Sequence, residues 1–113
     1  GIDIKVKVGT PILAVASGTV VFSGWERHYG HVIRIQHDHG FVSVYAHNLQ
    51  NFQEVGDQVS AGQVIGTVGR TGRTTAHHLH FEIWNDGKVY DPIALFPTRS
   101  LVSVSEEDEE GHE

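Results

Sequence analysis

Glycines cut this chain into short β-branched runs, and that rhythm limits the folds open to it. Ile12–Val15, Thr19–Phe22, Val32–Ile35, Phe41–Tyr45, Val64–Val68 and Leu79–Trp84 are each four to six residues long. Gly18, Gly24, Gly30, Gly40, Gly62, Gly66 and Gly72 punctuate them. Runs of this length, rich in Val, Ile, Thr and aromatic residues, are strands joined by tight turns. No window of eleven or more residues carries a 3.6-residue apolar period, so helices are expected to be few. The expected fold is all-β: an antiparallel sheet or sandwich of short strands with a groove. One internal echo is present. Val8-Gly9-Thr10-Pro11-Ile12 followed by Gly18-Thr19-Val20 resembles Val55-Gly56-Asp57-Gln58-Val59 followed by Gly66-Thr67-Val68. It predicts two similar hairpins in one sheet system.

Composition narrows the function. A 39% hydrophobic content suits one globular domain with a modest core. Residues 105–113 hold six acids and no Lys or Arg, which leaves eight acids against eight Lys and Arg elsewhere. The expected organisation is a near-neutral folded domain over 1–97 and an acidic, disordered tail over 98–113, where like charges repel. Without a basic surplus, no nucleic-acid partner is expected. No apolar run approaches the ~20 residues of a transmembrane helix. The absence of Cys excludes disulfides, thiolate zinc sites and a thiol nucleophile. No signal peptide is visible, and the chain opens in a strand-like pattern at Gly1-Ile2-Asp3-Ile4, as a domain cut from something longer does.

Nine His residues in 113 are the compositional signal that bears most on chemistry. In a strand, His78-Leu79-His80-Phe81-Glu82-Ile83-Trp84 points Leu79, Phe81 and Ile83 to the core and His78, His80, Glu82 and Trp84 to the other face. Imidazoles two residues apart stand ~7 Å apart at the backbone, so one can bind a metal while the other reaches a ligand on it. In Val44-Tyr45-Ala46-His47, alternation puts Tyr45 and His47 on one face. Asp3 is a carboxylate between apolar residues at the start of a strand. Each has a bland alternative: exposed His on a polar face, a surface or capping His, a strand-end Asp. No P-loop, dinucleotide fingerprint, serine elbow or His-Glu-x-x-His helix occurs. His and carboxylate without thiolate suit zinc in an open, catalytic arrangement.

Several ordered motifs together resemble the lysostaphin/LytM-type zinc metalloendopeptidases. They are Asp57 to Gly69, Thr71-Gly72 through His77-His78-Leu79-His80-Phe81-Glu82, Asp86-Gly87-Lys88 and Asp91-Pro92. Upstream, Gly30 to His37 resembles the family's Gly-Asn-x-Val-x-Ile-x-His strand, with His31 in place of Asn. Tyr45-Ala46-His47 matches its Tyr-x-His, and Gly1-Ile2-Asp3-Ile4 the end of its metal motif. The resemblance covers about residues 1 to 97. It implies Zn2+ as cofactor, Asp3 and His80 as metal ligands, and His47 and His78 as the catalytic pair. It also implies peptidoglycan peptides as substrate and an extracytoplasmic location. The family's first ligand, a His four residues before Asp3, falls ahead of Gly1. With two ligands in place of three, the expectation is weak zinc binding and little activity. The family also contains non-catalytic members that bind and activate wall hydrolases, and these are the alternative. His28, His31, His37, His39, His77 and His112 are expected to have no ligand role. A third pattern, the hairpins of biotinyl and lipoyl carriers, lacks its Lys: Lys5, Lys7 and Lys88 are not at a hairpin tip.

Overall fold

The computed structural model describes residues 1–72, 78–91 and 96–103. Nine strands follow one another: β1 (Ile2–Ile4), β2 (Pro11–Leu13), β3 (Gly18–Glu26), β4 (Gly30–Gln36), β5 (Phe41–Asn51), β6 (Gln58–Val59), β7 (Val64–Val68), β8 (Leu79–Asn85) and β9 (Lys88–Tyr90). Every pairing is antiparallel. The main path runs β1-β8-β5-β4-β3-β6, with β9 on β8 and β7 bridging β5 to β2. The described helical structure is two single turns of 3-10 helix, Asp38–Gly40 and Thr98–Ser100. No helix among the described residues is long and apolar enough to cross a membrane. The all-β expectation is met.

The echoed segments do not form two separate hairpins. They exchange partners: β2 pairs with β7, and β3 pairs with β6. The hydrogen bonds repeat the exchange. Gly9 N donates to Val68 O and Val68 N to Thr10 O, at 2.7 and 2.9 Å. Gly56 N donates to Val20 O and Val20 N to Asp57 O, at 2.8 and 2.9 Å. Similar local sequence yields similar strands, but strand pairing is decided by partners far along the chain, which the echo does not encode.

Alternation along β8 works as the sequence suggests. Leu79, Phe81 and Ile83 enter the main core beside Ile12, Ile33, Ile35, Tyr45 and Ile65. Burying each such side chain contributes about 1.5–3 kcal/mol. A smaller cluster of Val32, Val44 and Ala46 lies on the opposite face of β4 and β5, with Phe22, Tyr29, Val42 and Trp84 packed on it.

The folded part runs past the expected boundary at residue 97. Leu101 and Val102 are fully buried. Leu101 O accepts from Leu13 N at 2.8 Å, and Ser103 N donates to Pro11 O at 3.0 Å. This apolar pair covers the free edge of β2, so it belongs to the domain and not to the tail. The acidic run lies in 104–113, outside the described residues.

Candidate metal centre

Strand β8 lies between β1 and β5, and the register sets Asp3 on one side of His80 and Ala46 on the other. Directly opposed residues of antiparallel strands share a face. Ala46 is small and fully buried. Asp3 Oδ1 lies 2.7 Å from His80 Nδ1 and 3.3 Å from His78 Nε2. Gly1 lets β1 come this close: a Cβ there would lie 2.9 Å from Glu82 Cγ and 3.0 Å from His80 Cε1.

His47 reaches the same place by a different device. Ile33 faces Tyr45 and His31 faces Asn48. Ala46 and His47 therefore stand opposite the single residue Val32, which is a β-bulge. His47 takes the left-handed conformation at φ 64°. The bulge breaks the alternation and corrects the sequence reading: Tyr45 turns into the core against Phe81, while His47 turns to the face of His80. The His47 ring centroid lies 5.3 Å from that of His78 and 5.9 Å from that of His80. Asp3, His47, His78 and His80 are thus brought together.

The turn after β7 holds His47 in place. His47 Nδ1 donates to Thr71 O at 2.6 Å. Thr71 Oγ1 donates to Asn48 O at 2.7 Å and accepts from His31 N at 3.1 Å. Gly30 and Gly72, both at positive φ, meet backbone to backbone beneath it, where a Cβ on Gly72 would stand 2.3 Å from Gly30 N. Only glycine permits this approach in this conformation.

Charge follows the geometry. Burial pushes Asp3 up, but the His80 hydrogen bond and the charges of His78, His80 and His47 outweigh it and hold Asp3 below its ordinary value. Burial pushes His47 down, with the His78 and His80 charges in the same direction, against the Thr71 hydrogen bond and Asp3. Its neutral form is favoured. A carbonyl only accepts, so neutral His47 carries its proton on Nδ1 and its lone pair on Nε2.

Behind His80 stands a further layer of polar side chains. Glu82 Oε2 accepts from His80 Nε2 at 2.6 Å. Tyr29 OH donates to Glu82 at 3.1 Å, and Trp84 Nε1 donates to it at 2.8 Å. Burial raises the Glu82 carboxyl, but the Trp84, His80 and Tyr29 hydrogen bonds and the His80 charge bring it below its usual range. Alternation alone placed Glu82 and Trp84 on the face of His80. Nothing in the sequence announced Tyr29 or Thr71, which arrive from turns.

The other described His residues have different surroundings. His37 bridges Ser17 O and Ser43 Oγ at 2.8 and 2.7 Å, a structural tie. His31 meets the Trp25 ring edge-on, and His28 and His39 are exposed in turns. His77 and His112 lie outside the described residues. An apolar recess of about 390 Å³ under Phe41 and Phe96 contains none of the four site residues.

Zinc is the metal that the resemblance implies. Among the described residues, no group of three or more His, Cys, Asp or Glu is spaced to hold a metal ion. Two donors of the right kind are nonetheless aimed at one another: a carboxylate oxygen and an imidazole nitrogen whose second nitrogen is held by another carboxylate. That donor chemistry fits zinc in part.

Comparison with known proteins agrees with this architecture. The model of peptidase family M23 matches residues 1–92. The chain is 39% identical over 105 residues to the DD-carboxypeptidase/endopeptidase Mpg of Neisseria meningitidis serogroup B, covering 92% of this chain and 24% of that protein. It is 43% identical over 100 residues to the murein hydrolase activator NlpD of Escherichia coli K12, covering 88% of this chain and 26% of that protein. It therefore spans about a quarter of the length of these relatives. The catalytic domain of the antimicrobial peptidase lysostaphin from Staphylococcus simulans superposes with a TM-score of 0.80 at 36% identity, over 83% of this chain and 75% of that domain. With a matched model over most of its length, these relatives and a shared fold, the chain belongs to peptidase family M23.

Proposed function

We propose that this chain is the zinc-dependent endopeptidase domain of an extracytoplasmic protein, and that it hydrolyses peptide bonds of bacterial cell-wall peptidoglycan. The observation that carries the reading is the meeting of Asp3, His47, His78 and His80 at one place beside β8 from three separate stretches of sequence. Asp3 and His80 would hold the metal, with the family's further His supplied from a position ahead of Gly1. Zinc there would supply an acidified water and polarise the scissile carbonyl.

The chain's own residues then divide the proton work. His47, kept neutral by burial and oriented by Thr71 O, presents Nε2 as proton acceptor for the attacking water. It can pass that proton to the leaving amine. His78 lies beside His47, with Nε2 3.3 Å from Asp3 Oδ1, and as an N–H donor it would serve the oxygen on which negative charge develops. A group of this kind contributes about 10²–10⁴ in rate.

A second reading has support of its own. The Escherichia coli relative is described as a murein hydrolase activator. The two readings separate in one experiment, run on this chain and on a version extended upstream to include the expected His. Zinc content and release of peptides from purified peptidoglycan are measured for the unmodified protein, His78→Ala and His80→Ala. The endopeptidase reading expects His78→Ala to keep zinc and lose most activity, and His80→Ala to lose both. No cleavage by the extended protein, together with stimulation of a separate wall hydrolase, would establish the activator.

A further inference from the structure

We propose that Glu82 is the positioning residue of this site: it accepts the Nε2 proton of His80 and so presents the Nδ1 lone pair to the place shared with Asp3, where a divalent cation would sit. The inference deepens the metalloenzyme reading and rests on it for the cation alone. An imidazole offers two nitrogens, and the hydrogen bond made by one decides which remains free to ligate. His80 lies between two carboxylates, with Asp3 2.7 Å from Nδ1 and Glu82 2.6 Å from Nε2. They are not equal competitors for a single proton. The Asp3 side chain is 59% exposed and solvated by water, whereas that of Glu82 is 11% exposed. A buried carboxylate left without an N–H costs more than an exposed one that water can serve, so in the neutral ring Nε2 keeps the proton and Nδ1 is the nitrogen left for a cation.

Glu82 can do this because it is itself fixed. Trp84 Nε1 donates to Oε1 at 2.8 Å, and Tyr29 OH lies 3.1 Å from each carboxylate oxygen. The Tyr29 ring also stacks on His80, with centroids 6.0 Å apart and planes 29° apart. Ring rotation and ring tautomer are thus set from one side by one cluster.

This arrangement makes an unusual forecast for the isosteric change. In Glu82→Gln, Trp84 still needs an acceptor at the Oε1 position, so the amide oxygen goes there. The amide NH2 then faces His80 Nε2, which must accept. The proton moves to Nδ1 and covers the lone pair meant for the cation. Glu82→Ala leaves the tautomer free instead. A merely structural Glu82 would give the reverse order, with Ala the more harmful because it orphans Tyr29 and Trp84 and opens a void.

The test uses the whole chain labelled with 15N in histidine. Long-range 1H–15N spectra of the metal-free protein, taken where the ring is neutral, report the His80 tautomer. Chelator competition, on the version extended upstream to include the expected His, reports zinc affinity. Nε2–H is expected in the unmodified protein and Nδ1–H in Glu82→Gln, with zinc affinity down about 10–100-fold and more than in Glu82→Ala. Retention of Nε2–H in Glu82→Gln, or zinc affinity within about twofold of the unmodified value, overturns the proposal. If Glu82→Gln does not fold, Glu82→Ala decides it: a mixture of tautomers supports positioning, and an unchanged Nε2–H form refutes it. Failure of the version extended upstream to take zinc would count against the metalloenzyme reading, while the tautomer result would still settle the part played by Glu82.

Discussion

His47 stands at φ 64°, a conformation that costs a β-branched or ordinary side chain roughly 1–2 kcal/mol and costs glycine almost nothing. The strain persists because hydrogen bonds to Thr71 O and Tyr29 O hold His47 where the bulge puts it. The expected consequence is an inverted ranking: His47→Gly should be more stable to urea than His47→Ala by about 1 kcal/mol, although glycine normally weakens a strand. Both variants should lose peptidase activity if the proposed role holds. Tyr45, two positions earlier, carries a different signature. Burial pushes its phenol up to about 12, only partly offset by hydrogen bonds with Ser43 and the Val15 N–H. The folded state therefore favours the neutral phenol. Its contribution to stability is complete below the unfolded value of 10.0 and is lost as pH rises through about 12. Denaturant midpoints measured from pH 8 to 12 should fall less steeply in Tyr45→Phe than in the unmodified chain. At pH 8 the same change should cost about 1–3 kcal/mol, because the buried Val15 N–H loses its acceptor.

At the scale of elements, the site is a product of register. β1 pairs with β8 so that Asp3 meets His80, and β5 bulges so that His47 joins them. The glycine contact between the start of β4 and the turn after β7 then fixes Thr71 behind His47. Gly72→Ala would place a Cβ 2.3 Å from Gly30 N at a φ of 78°. We expect a loss of about 2–4 kcal/mol in denaturant titrations, together with loss of amide protection at His31 and His47. A much smaller loss would mean that the two turns part without strain. This level also explains what sequence could reveal. The period-2 pattern of Leu79-His80-Phe81-Glu82-Ile83 was readable because nothing interrupts it, and the same pattern misled at Tyr45-Ala46-His47 because a bulge inserts one residue without a glycine to mark it. The partner exchange between the echoed segments was hidden for a related reason. Turn and strand chemistry is local, whereas the choice of partner depends on which apolar faces meet. Leu101-Val102 was assigned to the tail because an isolated apolar pair beside an acidic run has no period at all.

For the whole molecule, the exchange of partners between the two echoed segments means that neither half can complete its own sheet. β2 and β3 belong to the first half of the chain, and their partners β7 and β6 to the second. A break in the exposed stretch after β5, between Gln53 and Glu54, should give two fragments that show no cooperative melting when separate. Mixed, they should recover strand signal in circular dichroism and a single transition. Independent folding of either fragment would contradict the pairing described above. The same topology sets the order of events during synthesis. Asp3 leaves the ribosome 77 residues before His80, the imidazole it must meet at 2.7 Å. Pairings this distant close late, after local strands have formed. A growing, misfolded or nicked chain therefore carries the two halves of the proposed site apart. Any hydrolytic capacity of the proposed kind would arise only when the last long-range strand docks, so the unfinished polypeptide would be latent until then.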